Sequence, residues 1–170
     1  MKDRPSLAKY KEILTTPLPQ ASLCFLINKN RQVLLAEKKR GFAKGKWNGV
    51  GGKKTDKDKN IEVTAMRETY EEVKVIPKSL ELVATINFYF LNKPEWGQQV
   101  FVFIAKKWKG KPEESKEMSP KWFDIKEIPY EHMWEDGKHW LPIILKGIKI
   151  NADFLYDENQ QLLEHTILEI

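Results

Sequence analysis

Residues 99–104, Gln-Val-Phe-Val-Phe-Ile, form an almost unbroken apolar run. A strand with apolar side chains on both faces must be covered on both faces, because strand side chains alternate sides. A chain built around such a strand therefore needs a layer on each side of its sheet. Apolar runs at residues 21–28 and 32–37 supply two more strands, with Asn28-Lys29-Asn30-Arg31 read as a hairpin turn between them. Residues 80–91, 98–108, 121–125, 148–156 and 162–170 read as further strands, the last two as a closing hairpin. Residues 60–73 and 130–146 read as helices, the first stopped by Val75, Ile76 and Pro77. This order predicts an α/β (α+β) fold with a mixed sheet sandwiched between helices. Ahead of it, residues 1–19 read as an N-terminal arm. In it Pro5 opens a short helix carrying Leu7, Tyr10, Ile13 and Leu14, and Pro17 and Pro19 end it. Residues 20–170 then form one domain, of a length that supports a proper core.

Several function classes fall away on composition. Cys24 is the sole cysteine, so there is no internal disulfide framework and no cysteine zinc cluster. No apolar stretch is long enough to span a bilayer, and the start has no signal-peptide pattern, so a cytoplasmic protein without a membrane partner is expected. Lys and Arg number 29 against 24 Asp and Glu, a net charge of +5 that favours an anionic partner without choosing among them.

The segment Arg67-Glu68-Thr69-Tyr70-Glu71-Glu72 narrows the choice. At 3.6 residues per turn Glu68, Glu71 and Glu72 share one helix face, with Val63, Met66, Tyr70 and Val73 expected on the opposite, buried one. Like charges at such spacings repel by roughly 0.2–0.5 kcal/mol per pair. A divalent cation would turn that repulsion into coordination, and Mg²⁺ suits a hard-oxygen site shared with phosphates. A solvated face with Arg67 and Lys74 as counter-ions is the commoner meaning of such a helix, so the helix alone does not establish a metal site.

Taken with what precedes it, the segment resembles the box of the Nudix hydrolases, G-x5-E-x7-R-E-U-x-E-E-x-G-U, where U is a bulky aliphatic residue. Gly52, Arg67-Glu68, Glu71-Glu72 and Val75 match. The spacing between Gly52 and Arg67 is one residue longer than the pattern, so the isolated glutamate slot falls on Asp58 or Lys59. Thr69 stands in the aliphatic slot and Lys74 in the glycine slot. Lys38-Lys39-Arg40-Gly41-Phe42, Trp47 to Lys53, Trp122-Phe123, Ile128-Pro129 and Met133-Trp134 with Trp140 and Pro142 are similar to the MutT-homologue subgroup, the oxidised-purine nucleoside triphosphatases.

That resemblance implies a Nudix fold. It also implies a hydrolase that cleaves purine nucleoside triphosphates such as 8-oxo-dGTP to the monophosphate and pyrophosphate. Mg²⁺, with Mn²⁺ able to substitute, is then held by Glu68, Glu71, Glu72 and the Gly51 carbonyl, with Glu117 from a facing loop. Glu71, Glu72 and Glu117 are the candidates to take the proton of the attacking water, and Glu117 also reads as an ordinary surface residue. Lys38 is placed at the phosphates. Trp134 stacks on the base, Asn48 bonds its edge, Phe42 and Phe88 wall the pocket, and Asp136 reads the oxidised purine. Phe88 fits the core as well as the pocket. Gly137 stands where the subgroup has a second aspartate, and Gln98 replaces an apolar pocket residue. The expected partner is a nucleoside triphosphate, with no stable nucleic-acid partner, and the chain is expected to be a monomer or homodimer. The alternatives are a Nudix hydrolase for another nucleoside diphosphate derivative and a non-catalytic nucleotide-binding module.

Overall fold

The structure is a computed structural model that describes residues 3–170. Met1 and Lys2, the first residues of the expected arm, lie outside the described residues. In chain order the elements are α1 (Leu7–Ile13), β1 (Gln20–Leu26), β2 (Gln32–Lys38), β3 (Trp47–Asn48), β4 (Val50–Lys53), α2 (Ile61–Val73), β5 (Ile76–Lys78), β6 (Glu81–Phe90), β7 (Gln98–Ala105), β8 (Lys107–Lys109), β9 (Met118–Asp124), α3 (Gly137–Leu145), β10 (Ile150–Tyr156) and β11 (Leu162–Glu169).

The apolar run lies in β7, in the interior of a six-stranded mixed sheet of order β11-β10-β6-β7-β1-β4. β7 pairs antiparallel with β6 and parallel with β1, and β10 runs parallel to β6. Alternation then sorts the side chains onto two faces. Ala21 and Phe25 of β1, Val100, Val102 and Ile104 of β7, and Ala152 and Phe154 of β10 point into one core with Trp140, Leu141 and Ile144 of α3. Cys24 and Leu26 point the other way, into a second core with Val50, Val73 and Ala105 under α2. Tyr89 and Leu155 meet Leu7 and Tyr10 of α1. Two helices on one face and one on the other make the α/β/α sandwich that the strand pattern demands.

Four local expectations are corrected. The turn at residues 28–31 forms, with the Asn28 N–H donating to the Gln32 carbonyl at 3.0 Å. Yet β1 and β2 part into different sheets after a bridge between Ile27 and Val33. The cause lies in β2: Val33 and Leu35 are needed in the α3 core and Leu34 and Ala36 in the α2 core, so the strand wedges between the two. Second, the strand expected over residues 98–108 breaks at Lys106, and β8 leaves to pair with β5. Third, the helix expected from Tyr130 begins only at Gly137, the preceding Tyr130–His132 being a 3-10 turn.

The fourth correction bears on function. The buried face of α2 is Thr64, Ala65, Thr69 and Val73, while Val63, Met66 and Tyr70 are exposed. The helix thus lies against the sheet on the side that carries Glu68 and Glu72. Small residues explain this orientation: Ala65 and Thr69 let the helix approach β1 and β4 closely, where Met and Tyr would hold it off. Asn60 caps the start by accepting from the Val63 N–H at 2.9 Å. Lys74 ends the helix in the left-handed region, φ 62°, so the stop precedes Val75 and Pro77.

α1 is fixed to the sheet. Its N-cap Ser6 accepts from Lys9 N–H, Tyr10 Oη donates to the Phe90 carbonyl at 3.0 Å, and Leu7 N–H donates to Glu164 at 2.9 Å. Ile13, expected on the same stripe, is exposed. Among the described residues no helix is long and apolar enough to cross a membrane.

Candidate active site

The Gly51-Gly52 edge is where the sheet and the glutamate helix touch. β4 pairs with β1 so that Leu23 faces Gly51 and Ser22 faces Gly52. A Cβ on Gly51 would lie 2.6 Å from the Ser22 carbonyl carbon and closer still to its oxygen. A Cβ on Gly52 would lie 2.6 Å from both carboxylate oxygens of Glu68. Both glycines are therefore set by close approach: one admits the neighbouring strand, the other a carboxylate. Glu72 reaches the same edge, its Oε2 accepting from the Gly51 N–H at 3.2 Å.

Burial dominates the electrostatics of these carboxylates. It raises the Glu68 carboxyl, an effect partly opposed by Arg67 at 2.8 Å. Glu72 is pushed up to about 8, by burial first and by the charge on Glu68 and Glu71, against which the Gly51 N–H and Lys38 provide only partial relief. The donor set, hard carboxylate oxygens on a helix beside a strand edge, fits a hard divalent ion. Among the described residues no three His, Cys, Asp or Glu groups converge on one point. Glu71 is exposed and held by Arg67 at 3.2 Å. Glu117 is paired with Arg40, which holds its carboxyl below the usual range.

The altered spacing of the box has a structural answer in Asp58. Its buried carboxylate accepts from Arg67 Nε and a terminal guanidinium nitrogen, both at 2.9 Å, and from Thr64 Oγ1 and the Thr55 N–H, both at 3.0 Å. Arg67 also donates to the Lys53 carbonyl at 3.2 Å. Of Asp58 and Lys59, the two residues on which the slot falls, Asp58 is the one bonded to the helix, and through it Arg67 ties loop to helix. The Arg67 hydrogen bonds hold the Asp58 carboxyl far below the ordinary carboxylate range.

A cleft of about 350 Å³ opens from this edge across the α3 face of the sheet. Lys38, Phe42, Asn48, Phe88, Trp134 and Asp136, all singled out in the sequence, line it together with Gly51 and Gly52. Its mouth is aromatic: Phe42 lies 5.6 Å from Trp134 between ring centroids and 6.1 Å from Trp96. Phe42 is 58% exposed, which marks it as a flap over the slot rather than a core residue. Lys46 Nζ sits 5.3 Å from the Trp134 ring. Phe88 serves both readings, since it lines the cleft and stacks on core Phe154 at 5.7 Å.

Asp136 is buried at the floor of the cleft. Trp140 Nε1–H donates to Oδ2 at 2.7 Å, Tyr156 Oη donates to Oδ1, and Tyr156 Oη in turn accepts from the Asp136 N–H at 3.0 Å. Burial raises the Asp136 carboxyl while these two donors oppose it. Its oxygens are thus already engaged, which the sequence does not reveal. Sequence reasoning also missed Trp96, Phe90 and Tyr156 as cleft residues. Trp96 had a usable signal, a large aromatic in the polar turn Pro94-Glu95-Trp96-Gly97, whereas Tyr156 is only the end of an apolar strand.

With this fold and edge in view, the chain belongs to the Nudix family: the NUDIX domain matches residues 17–142. It is 39% identical over 139 residues to a Danio rerio protein named oxidized purine nucleoside triphosphate hydrolase, covering 82% of this chain and 88% of that one. A Mus musculus protein of the same name is 37% identical over 145 residues, covering 85% and 92%. The MutT protein of Bacillus halodurans superposes with a TM-score of 0.76 at 24% identity, covering 88% of this chain and 97% of that one, a likeness of fold.

Proposed function

We propose that this protein hydrolyses purine nucleoside triphosphates, an oxidised guanine nucleotide foremost, to the monophosphate and pyrophosphate with Mg²⁺. The observation that carries the reading is the continuity of one cleft, from an aromatic slot sized for a base to the glycine edge under Glu68 and Glu72. The relatives named for oxidised purine triphosphates support the same substrate class.

In this reading the base stacks on Trp134 with Phe42 walling the slot, and Lys38 and Lys46 hold the phosphate chain where it leaves the slot. Glu68, Glu71, Glu72 and the Gly51 carbonyl would hold the cation. Bound there, a divalent ion neutralises charge developing on phosphate oxygens and acidifies a coordinated water. Glu71 and Glu72 would be the candidates to accept the proton of the attacking water. Glu117 is the weaker base, since Arg40 stabilises its ionised form, and it enters the site only if that pair opens. Arg67 and Asp58 position the helix and touch no substrate.

The test is thermal stabilisation by 8-oxo-dGTP with and without Mg²⁺, followed by product analysis. The reading expects Mg²⁺-dependent release of pyrophosphate and nucleoside monophosphate. Orthophosphate as the product, or cleavage only of dinucleotides, would replace it with another Nudix activity. Stabilisation without any cleavage would leave a binding module.

A further inference from the structure

In β7, Gln98 stands on the same face as Val100, Val102 and Ile104, because alternate residues share a side. The three aliphatic residues close the core, so Gln98 places a carboxamide at the end of an otherwise apolar wall. Directly across the β6–β7 ladder is Phe88, and the residue lines the cleft with Phe90, Trp96 and Trp134. Two other polar residues of the slot have their acceptor oxygens engaged within the protein. Asp136 accepts from Trp140 and Tyr156, and Asn48 Oδ1 accepts from the Gly49 N–H at 2.8 Å. Among the described residues, no side chain or backbone group hydrogen-bonds the Gln98 carboxamide, which leaves its donor and its acceptor both free. Gly137 adds nothing toward the base, since a Cβ there would meet only Met133.

Gln98 is half-buried and its carboxamide faces the cleft, so a base that displaces water from it without pairing it leaves a polar group unsatisfied at a cost. We propose that Gln98 is a specificity-determining residue that reads the N7 edge of the purine, a refinement resting on the function proposed above. Guanine presents two adjacent acceptors there, N7 and O6. Oxidation at C8 places a hydrogen on N7, so the edge becomes a donor beside an acceptor. A carboxamide matches that pair, its oxygen accepting from N7–H and its NH₂ donating to the neighbouring oxo group. It cannot match two adjacent acceptors. Adenine, with N7 as acceptor beside the 6-amino donor, fits the same amide turned over. The pattern separates oxidised from normal guanine with an uncharged side chain, so it holds across the pH range in which a carboxylate changes state.

The experiment uses the full chain and two variants, Gln98→Met and Gln98→Glu. Met keeps the length and volume and removes the polar atoms, and Glu keeps the acceptor and removes the donor. Steady-state kcat and KM on 8-oxo-dGTP, dGTP and dATP are read together with calorimetric binding of 8-oxo-dGMP and dGMP in the absence of metal. Gln98→Met should raise KM for 8-oxo-dGTP and dATP, leave dGTP nearly unchanged, and lower the preference for 8-oxo-dGTP over dGTP by roughly 5- to 150-fold. The monophosphate affinities should move in the same ratio. Gln98→Glu should keep part of the preference for 8-oxo-dGTP and lose dATP. Unchanged ratios in Gln98→Met, with the parent enzyme active on 8-oxo-dGTP, would overturn the role of Gln98 and leave the function standing. A parent enzyme that neither binds nor cleaves any of the three would overturn both.

Discussion

Two adjacent glycines, each changed to alanine, separate fold from chemistry in this site. At Gly51 the added methyl meets backbone: the Ser22 carbonyl carbon at 2.6 Å and the Leu23 Cα at 2.9 Å, well inside ordinary contact of 3.4 Å or more. Neither atom can leave without moving β1, which pairs with β4 on one side and β7 on the other. Overpacking commonly costs about 1–3 kcal/mol, and a clash with a strand backbone belongs at or beyond the top of that range. At about 2–4 °C per kcal/mol for a chain of this size, Gly51→Ala should lower Tm by about 6 °C or more. At Gly52 the methyl meets only the end of the Glu68 side chain. That carboxylate can swing away at the cost of an off-rotamer torsion, about 0.5–1.5 kcal/mol, partly offset by the smaller unfolded-state entropy of alanine. Gly52→Ala should therefore melt within about 3 °C of the parent, yet lose turnover by about 10²-fold or more because a charge-stabilising group is displaced. Differential scanning fluorimetry and a pyrophosphate-release assay on the same preparations decide it. Equal destabilisation of the two variants, or full turnover in Gly52→Ala, would refute the placement of Glu68 over this edge.

Other consequences are equally open to measurement. Glu72→Gln should lower turnover by about 10²-fold or more while raising the Tm of the metal-free protein at pH 7, because the buried carboxyl must take up a proton to fold there and a carboxamide need not. Near-normal turnover would take Glu72 out of the mechanism. Asp58 has its folded pKa depressed, so its contribution is present above the unfolded value near 4 and is lost as pH falls through the acid range. Asp58→Asn should thus lower Tm at pH 7 and flatten the loss of stability below pH 4. An acid limb identical to the parent's would mean the Arg67 pair contributes nothing. Tyr156→Phe removes one of the two donors to buried Asp136 and should cost about 1.5–3 kcal/mol, read by denaturant titration. Trp134→Ala should weaken all purine substrates together, since stacking ignores edge chemistry, and selective loss of one base would contradict the stacking role.

The parts of this fold legible in the sequence were those carried by local pattern. β7 is readable because its apolar run has no exposed face, and α2 because Asn60 and the glutamate spacing mark a helix. The orientation of α2 was not readable. Amphipathicity counts Met66 and Tyr70 as core, whereas the close approach of the helix to Gly51 and Gly52 selects Ala65 and Thr69. β2 misled for a related reason, because a strand apolar on both faces can bridge two cores instead of completing a hairpin. In the site, residues in motif segments were found, and Lys38, Phe42, Asn48, Phe88, Trp134 and Asp136 do line one cleft. Tyr156 and the Asp136 network were beyond reach, because they depend on β10 running beside β6, a pairing of strands some 70 residues apart. The pairing of Glu117 with Arg40 was likewise unreadable, because the two lie 77 residues apart in the chain.

The most direct test of the account is kcat/KM for 8-oxo-dGTP against dGTP, followed as pyrophosphate release with saturating Mg²⁺, in the parent chain and in Glu72→Gln. The account predicts that the parent prefers 8-oxo-dGTP and that Glu72→Gln loses turnover on both nucleotides alike, with the preference intact, because base reading and phosphate chemistry sit at opposite ends of one cleft. Equal use of the two nucleotides by the parent, or a change of preference in Glu72→Gln, would contradict it.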